Sequence, residues 1–278
     1  MILTGKAMVA GLMGWPVSHS RSPRLHGFWI DKHRLDAAYI PMAVRPEDFS
    51  AALRALPKLG FRGCNLTLPH KEAALALLDR IDPAARRIGA VNTVVVAEDG
   101  TLEGRNTDVI GFVENLRAAA PRFDCRAGPA LVLGAGGGAR AVIAGLIDQG
   151  APAVHVINRD LARAERLARE LGPAVRPAGW DRVPALLAEA HILVNTTSLG
   201  MTGAPPLAID LAPLKPGAVV NDIVYTPLET PLLAAAHERQ HVAVDGLGML
   251  LHQGVAGFEA WFGVRPEVTE ELRRWVLG

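Results

Sequence analysis

A glycine-rich segment, Gly134-Ala135-Gly136-Gly137-Gly138-Ala139, follows the apolar run Ala130–Leu133 and precedes a helical pattern over 140–149. Glycines at that spacing let the backbone turn tightly and approach a pyrophosphate, which then meets the positive end of the following helix. G-x-G-x-x-A alone also suits an ordinary turn; the strand before it and the helix after it favour a dinucleotide loop. The next apolar run, Val154–Ile157, ends in Asn158-Arg159-Asp160, with Arg163 one turn further on. An acid at that strand end takes the ribose 2′-hydroxyl of NAD, whereas arginine accommodates the 2′-phosphate of NADP. Asn158, Arg159 and Arg163 therefore point to NADP. Asp160 is discordant: it is either the N-cap of a helix over Leu161–Leu171 or a carboxylate repelling the phosphate.

A nicotinamide supplies a hydride, so the protein must supply a proton and the orientation. Only five lysines are present, and one of them, Lys71, closes Asn65-Leu66-Thr67-Leu68-Pro69-His70-Lys71, a strand end running into a helix start. Such ends are where α/β sheets present chemistry. By default, though, Lys71 and its neighbour His70 would be ordinary polar residues, lysine being mostly solvated. Asp108, in Gly104-Arg105-Asn106-Thr107-Asp108, has helix capping as its simpler reading. A third junction, Gly14-Trp15-Pro16-Val17-Ser18-His19-Ser20-Arg21-Ser22-Pro23, offers hydroxyls and free amides suited to a carboxylate. Ser22 before Pro23 also has the pattern of an N-cap.

These residues need elements to carry them. Apolar runs at 8–13, 39–44 and 64–68 predict buried strands, with helices over 24–33 and 47–56, the second opened by Pro46. Glu98-Asp99-Gly100 predicts a hairpin between 91–97 and 101–105. A helix over Asp108–Ala119 leads through Ala120-Pro121-Arg122 and Gly128-Pro129 into a second, doubly wound part. Its strands are expected at Ala130–Leu133, Val154–Ile157, 192–194, 219–220 and Val242–Val244, followed by helix from 248 onwards.

The 278 residues suit two domains, half of them apolar and 21% charged, with a net charge of +1. That balance implies neither nucleic acid nor a membrane surface as partner. No apolar stretch reaches the ~18 to 20 residues of a membrane span. The segment 7–17 after Lys6 lacks a signal-peptide cleavage pattern and is expected to be a buried strand. Cys64 and Cys125 make neither a disulfide framework nor a metal-ligand spacing, which fits a reducing cytoplasm and no metal.

In one order along nearly the whole chain, several motifs resemble those of the shikimate 5-dehydrogenase family. In the first half they are Gly14-x-Pro16-x-x-His19-Ser20-x-Ser22-Pro23, Asn65-x-Thr67-x-Pro69-x-Lys71, Gly89-Ala90-Val91-Asn92-Thr93 and Asn106-Thr107-Asp108. In the second they are Gly134-Ala135-Gly136-Gly137, Asn158-Arg159, Asn195-Thr196-Thr197-Ser198-x-Gly200-Met201 and Asp222-x-x-Tyr225-x-Pro227, completed by Gln253. The resemblance implies an N-terminal α/β substrate domain, a Rossmann-type NADP-binding domain, and C-terminal helices returning to the first. The expected boundaries are 1–107 with 251–278, and 108–250. It implies NADPH-dependent reduction of 3-dehydroshikimate to shikimate, a step towards aromatic amino acids.

The family roles carried over place Lys71 as the catalytic group, paired with Asp108. Ser20 and Ser22 take the substrate carboxylate with Tyr225 nearby, and Thr67, Asn92, Asp108 and Gln253 its hydroxyls. Ile223 and Gly246 touch the nicotinamide end of the cofactor, Gly134, Ala135, Gly136, Gly137 and Gly138 its pyrophosphate. Two residues depart from the family pattern: Val109 stands where the family has glycine, and Asp160 where it commonly has threonine. A quinate/shikimate dehydrogenase using NAD(P) and a non-catalytic dinucleotide-binding relative remain as alternatives, and the assembly is a monomer or a homodimer. Hinges are expected near 107–110 and 246–248, where Gly246 and Gly248 tolerate dihedral change.

Overall fold

A first sheet is assembled from β1 (Met8–Gly14), β2 (Ala37–Ala43), β3 (Phe61–Leu66), β4 (Arg80–Ile81), β5 (Thr93–Val96) and β6 (Leu102–Arg105) in the computed structural model, which describes residues 3–278. Residues 1 and 2 of the expected first domain lie outside the described residues. The strand order is β2-β1-β3-β5-β6-β4. β2, β1 and β3 run parallel, which requires helical crossovers; α1 (Ser22–Lys32) and α2 (Phe49–Ala55) provide them. β5 is antiparallel to both β3 and β6, and the β5–β6 turn falls on the expected Glu98-Asp99-Gly100. The short helices α3 (His70–Ala73) and α4 (Pro83–Ile88) fill the β3–β5 connection.

The second part runs α5 (Asp108–Ala119), β7 (Ala130–Leu133), α6 (Gly137–Asp148), β8 (Val154–Ile157), α7 (Leu161–Leu171), β9 (Val175–Ala178), α8 (Val183–Glu189), β10 (Ile192–Asn195), β11 (Val219–Asp222), α9 (Pro231–Glu238) and β12 (Val242–Val244). Its six strands are parallel in the order β12-β11-β10-β7-β8-β9, the doubly wound Rossmann arrangement with its reversal between β7 and β10. Both faces are covered: Ala130 and Val132 belong to one apolar core, Leu131 and Leu133 to the other. That explains why these strands read as continuous apolar runs. Two helices, α10 (Gly246–Phe262) and α11 (Glu270–Leu277), end the chain.

The chain divides into two compact units, one ending at Thr107 and completed by Leu250–Gly278, the other Asp108–Met249. In the first, the C-terminal segment packs on the N-terminal sheet. Trp261 donates its indole N–H to Val94 O at 2.9 Å, and its ring fills the space that a side chain at Gly63 (φ +148°) would need. Trp29 donates to Glu267 O at 3.0 Å, and Arg21 to Val276 O and Leu277 O at 2.7 and 2.8 Å.

Several expectations need correction. β9, α8 and α9 were not anticipated: β9 is Val175-Arg176-Pro177-Ala178, a polar edge strand whose proline mimics a turn signal. Ser22 is the first helical residue of α1 rather than its cap, and Arg21 precedes it without a side-chain cap bond. Asp108 likewise is the first residue of α5. Gly246 and Gly248 are not in a flexible connection but inside α10, where close packing demands them. A Cβ at Gly246 would collide with Ile223 O, and one at Gly248 with the Asn115 side chain.

Candidate active site

Within the first unit, the loops after β1 and β3 meet at their roots. Trp15 N donates to Leu68 O at 2.9 Å and Thr67 N to Met13 O at 3.0 Å. Gly14 has no room for a Cβ, which would strike the Thr67 methyl. Ser20 and Ser22 are joined on the first loop, the Ser20 hydroxyl 3.2 Å from Ser22 Oγ and accepting from Ser22 N at 3.2 Å. On the second, His70 is buried: its Nε2–H donates to Val44 O at 2.8 Å and its ring stacks on Phe49 at 4.0 Å. That anchor fixes the start of α3, and the next residue is the half-buried Lys71. Lys71 O accepts from Val91 N at 2.8 Å, tying the lysine's backbone to the segment that carries Asn92.

Asn92 is buried, accepting from Thr107 N at 2.8 Å and donating to Gln253 Oε1 at 3.2 Å. Ser20, Ser22, Thr67, Lys71, Asn92 and Gln253 are thus all carried by the first unit. Asp108, buried at the head of α5, and Tyr225, on the segment after β11, belong to the second. Val109, beside Asp108, lays its methyl against Gly145 of α6, which gives this departure from the family pattern a packing role. Buried partners that the sequence did not single out are Tyr39, Thr93 and the side chain of Asn65, linked by Tyr39 OH donating to Asn65 Oδ1 at 2.7 Å and by Asn65 Nδ2 donating to Thr93 Oγ1 at 3.2 Å. Strand alternation places Asn65 on one face of β3, but its partnership with β2 is non-local.

In the second unit, β7 runs into the glycine segment and α6 begins at Gly137, so the glycines form its first turn and cap. Gly134 has φ +111°, and a side chain there would strike Thr196. At Gly136 a Cβ would meet nothing within 4 Å, leaving a backbone cradle open at the helix N-terminus. Ile223 lies against Gly138, and Gly246 against Ile223 O, which gathers the Gly134, Ala135, Gly136, Gly137 and Gly138 loop with both expected nicotinamide contacts.

Asn158, Arg159, Asp160 and Arg163 line an open pocket of about 420 Å³ beyond the carboxyl end of β8. Asp160 caps α7, accepting from Ala162 N at 3.1 Å, while Asn158 Nδ2 donates to Asp160 O at 2.9 Å. One oxygen of the Asp160 carboxylate is therefore engaged with the helix, and Arg159, Asp160 and Arg163 are all exposed. A cradle without side chains, a free helix end and two guanidiniums fit the pyrophosphate and 2′-phosphate of an NADP. A larger cavity, about 500 Å³, lies at the opposite edge of this sheet, beside the amino ends of β11 and β12.

Asp222, at the carboxyl end of β11, braces the segments that leave that end of the sheet. It accepts from Asn195 Nδ2 at 3.0 Å, Val224 N at 3.0 Å and Thr230 Oγ1 at 2.7 Å. Burial pushes its pKa up to about 6, outweighing the three hydrogen bonds. Among the described residues no cluster suited to a metal ion occurs, and no helix is long and apolar enough to cross a membrane.

Residues 12–94 match the model of the shikimate dehydrogenase substrate binding domain, 117–201 that of shikimate / quinate 5-dehydrogenase, and 246–270 that of the shikimate 5′-dehydrogenase C-terminal domain. The chain is 58% identical over 275 residues to the shikimate dehydrogenase (NADP(+)) of Paramagnetospirillum magneticum, covering 99% of this chain and 100% of that one. The structure of shikimate 5-dehydrogenase from Thermus thermophilus in complex with NADP(H) and shikimate superposes with a TM-score of 0.85 at 39% identity, over 97% of this chain and 98% of that one. Quinate dehydrogenase from Corynebacterium glutamicum in complex with NAD gives 0.90 at 32% identity, over 98% and 99%. With sequence identity sustained from end to end and both sheets reproduced, the chain belongs to the shikimate dehydrogenase family.

Proposed function

We propose that this chain reduces 3-dehydroshikimate to shikimate with NADPH, in the route to aromatic amino acids. The observation that carries this reading is the gathering of Ser20, Ser22, Thr67, Lys71, Asn92 and Gln253 on one unit: hydroxyls, amides and one ammonium suited to a small, polar, anionic substrate. Ser20 and Ser22 receive the carboxylate, with Tyr225 contributing; Thr67, Asn92, Asp108 and Gln253 hold the ring hydroxyls. Bound NADPH supplies the hydride for the carbonyl carbon. Lys71, with Asp108 as the other catalytic group, polarises the ketone and gives a proton to the oxygen that becomes the alcohol. Gly134 to Gly138 cradle the pyrophosphate, Ile223 and Gly246 flank the nicotinamide end, and Arg159 with Arg163 and Asn158 receives the 2′-phosphate.

The high TM-score to an NAD-bound quinate dehydrogenase makes quinate oxidation the reading to exclude. The Asn158-Arg159 strand end, where Asp160 caps α7 through one carboxylate oxygen, favours NADP. Two buried free cysteines fit a cytoplasmic setting, with the protein acting as a monomer or homodimer. Assaying oxidation of shikimate with NADP and of quinate with NAD separates the readings: the first pair should be the better by kcat/KM, and the reverse order refutes the proposal. Lys71→Ala should lower kcat by roughly 10²- to 10⁴-fold, the range for a positioned acid, and move KM far less.

A further inference from the structure

We propose that Tyr39 is a positioning residue for substrate binding: its hydroxyl ties Asn65, and through it the Asn92 carbonyl and the Thr93 hydroxyl, into the buried network that holds the Asn92 and Gln253 amides in place. This rests on the reading of Asn92 and Gln253 as substrate ligands. An amide's oxygen and nitrogen ends have nearly the same shape, so packing alone does not choose between them; hydrogen-bond partners must.

The chain is directional at its amide links, while the hydroxyls of Thr93 and Thr107, 3.2 Å apart, can hydrogen-bond in either sense. Tyr39 OH donates to Asn65 Oδ1 at 2.7 Å, which turns Asn65 Nδ2 towards Asn92 O at 3.1 Å and Thr93 Oγ1 at 3.2 Å. Thr93 Oγ1, now accepting, sends its own proton to Asn92 Oδ1 at 3.1 Å. The same oxygen accepts from Thr107 N at 2.8 Å, a backbone donor that cannot reverse. Asn92 Nδ2 must therefore donate, and it does so to Thr107 Oγ1 at 3.0 Å and to Gln253 Oε1 at 3.2 Å. Gln253 Nε2 donates to Leu250 O at 3.1 Å within its own helix, so what Gln253 retains for a ligand is an N–H. A substrate hydroxyl is met there as an acceptor.

Both ends of the chain agree in polarity, Thr107 N–H at one and Tyr39 O–H at the other. The phenol is held in place by its surroundings. Its ring stacks on His26 at 4.0 Å and lies 5.9 Å from Trp261. Burial, reinforced by the neighbouring Cys64 and opposed by a hydrogen bond with Ser22, drives its ionisation well above the ordinary range, so the donor keeps its proton. Burial also lowers His26 to about 3, against a small opposing effect of Asn65, and so no imidazolium competes beside it. Tyr39, Asn65, Thr93 and Asn92 are all buried, where an unpaired polar atom is costly and the loss of one link is passed along the chain.

Tyr39→Phe keeps the stacked ring and removes only the donor. KM for shikimate should rise about five- to twentyfold, the equivalent of one interior hydrogen bond to a polar network, with kcat changed less than about threefold. KM for NADP should stay within about twofold, since that site uses other residues. Thr93→Val breaks the next link without touching the aromatic cage; it should give the same pattern, and the double variant should be no worse than either single one. A wild-type KM for shikimate in Tyr39→Phe, equal losses for both substrates, or additive effects in the double variant would overturn the proposal. The side-chain amide protons of Asn65 and Asn92, followed by NMR without ligand, give a second readout: slow exchange in the wild type and fast exchange in Tyr39→Phe are expected, and identical exchange refutes the chain. A wild-type protein inactive on shikimate would remove the functional reading, while the amide exchange still decides on the chain itself.

Discussion

Arg159 and Asp160 are adjacent, opposite in charge, and assigned opposite tasks by the geometry. Asp160 caps α7 through one carboxylate oxygen on Ala162 N, and removing it should do little to the cofactor. Asp160→Thr keeps a capping oxygen and should change KM for NADP by less than about threefold. Arg159→Ala removes a charge-assisted contact that only the 2′-phosphate can make, and KM for NADP should rise roughly 10- to 100-fold with NAD little affected. Equal losses with both cofactors in steady-state assays would refute the role of Arg159. Asp222 carries a different prediction. Its folded pKa of about 6 stands above the ordinary 3.8, so the folded state binds the proton more tightly than the unfolded chain does. The stability this gives is fully present below pH 3.8 and is lost as pH rises through 6. The loss is on the order of 3 kcal/mol from this group. Asp222→Asn should flatten that part of the pH profile of denaturant unfolding; an unchanged slope between pH 4 and 6 would contradict it.

At the level of elements, what could be read locally was read well. The glycine loop between β7 and α6, and the strand ending at Asn158-Arg159, announce themselves because each sits in one contiguous strand–turn–helix stretch. β9 was illegible because Arg176 and Pro177 break the apolar run, and as an edge strand it needs no such run. The Tyr39–Asn65 bond was beyond reach for another reason. β1 lies between their two strands, and only its small Ala10, opposite both Tyr39 and Gly63, lets a phenol lean across. No spacing within one segment encodes that. Helical glycines are ambiguous for a related reason, since a glycine that permits motion and one that permits contact look alike in sequence. Two substitutions separate these cases. Gly27 of α1 has nothing within 4 Å of a would-be Cβ, and Gly27→Ala should stabilise by about 0.5 to 1 kcal/mol. Gly248→Ala would displace Asn115, whose Nδ2 donates to Asp245 O at 2.7 Å, and should destabilise by about 1 to 3 kcal/mol. Thermal melts showing the same sign for both would refute this account.

Across the whole molecule, the two units differ in how the chain builds them. Asp108–Met249 is one uninterrupted segment with apolar cores on both faces of its sheet. The first unit is split, and its aromatic cage joins Trp29 and Tyr39 to Phe258 and Trp261 from α10. Each such ring contributes roughly 1.5 to 3 kcal/mol on burial, so losing two costs about 3 to 6 kcal/mol, comparable to the low end of a domain's margin of about 5 to 15 kcal/mol. Expressed alone, 108–249 should fold cooperatively and bind NADP, whereas 3–107 should not fold until 250–278 is supplied as a separate peptide. Circular dichroism and chemical-shift dispersion check both; a folded 3–107 would contradict the dependence on α10.

The split first unit has a consequence for synthesis on the ribosome. The uninterrupted segment can complete its sheet as soon as β12 emerges, while the earlier strands must wait for Phe258 and Trp261. At about 5 to 20 residues per second, that wait lasts on the order of ten seconds or more after β6 is made. A chain interrupted before α10 would therefore bind nucleotide while leaving its first sheet with an uncovered apolar face, a form that proteases and chaperones can tell from the finished protein.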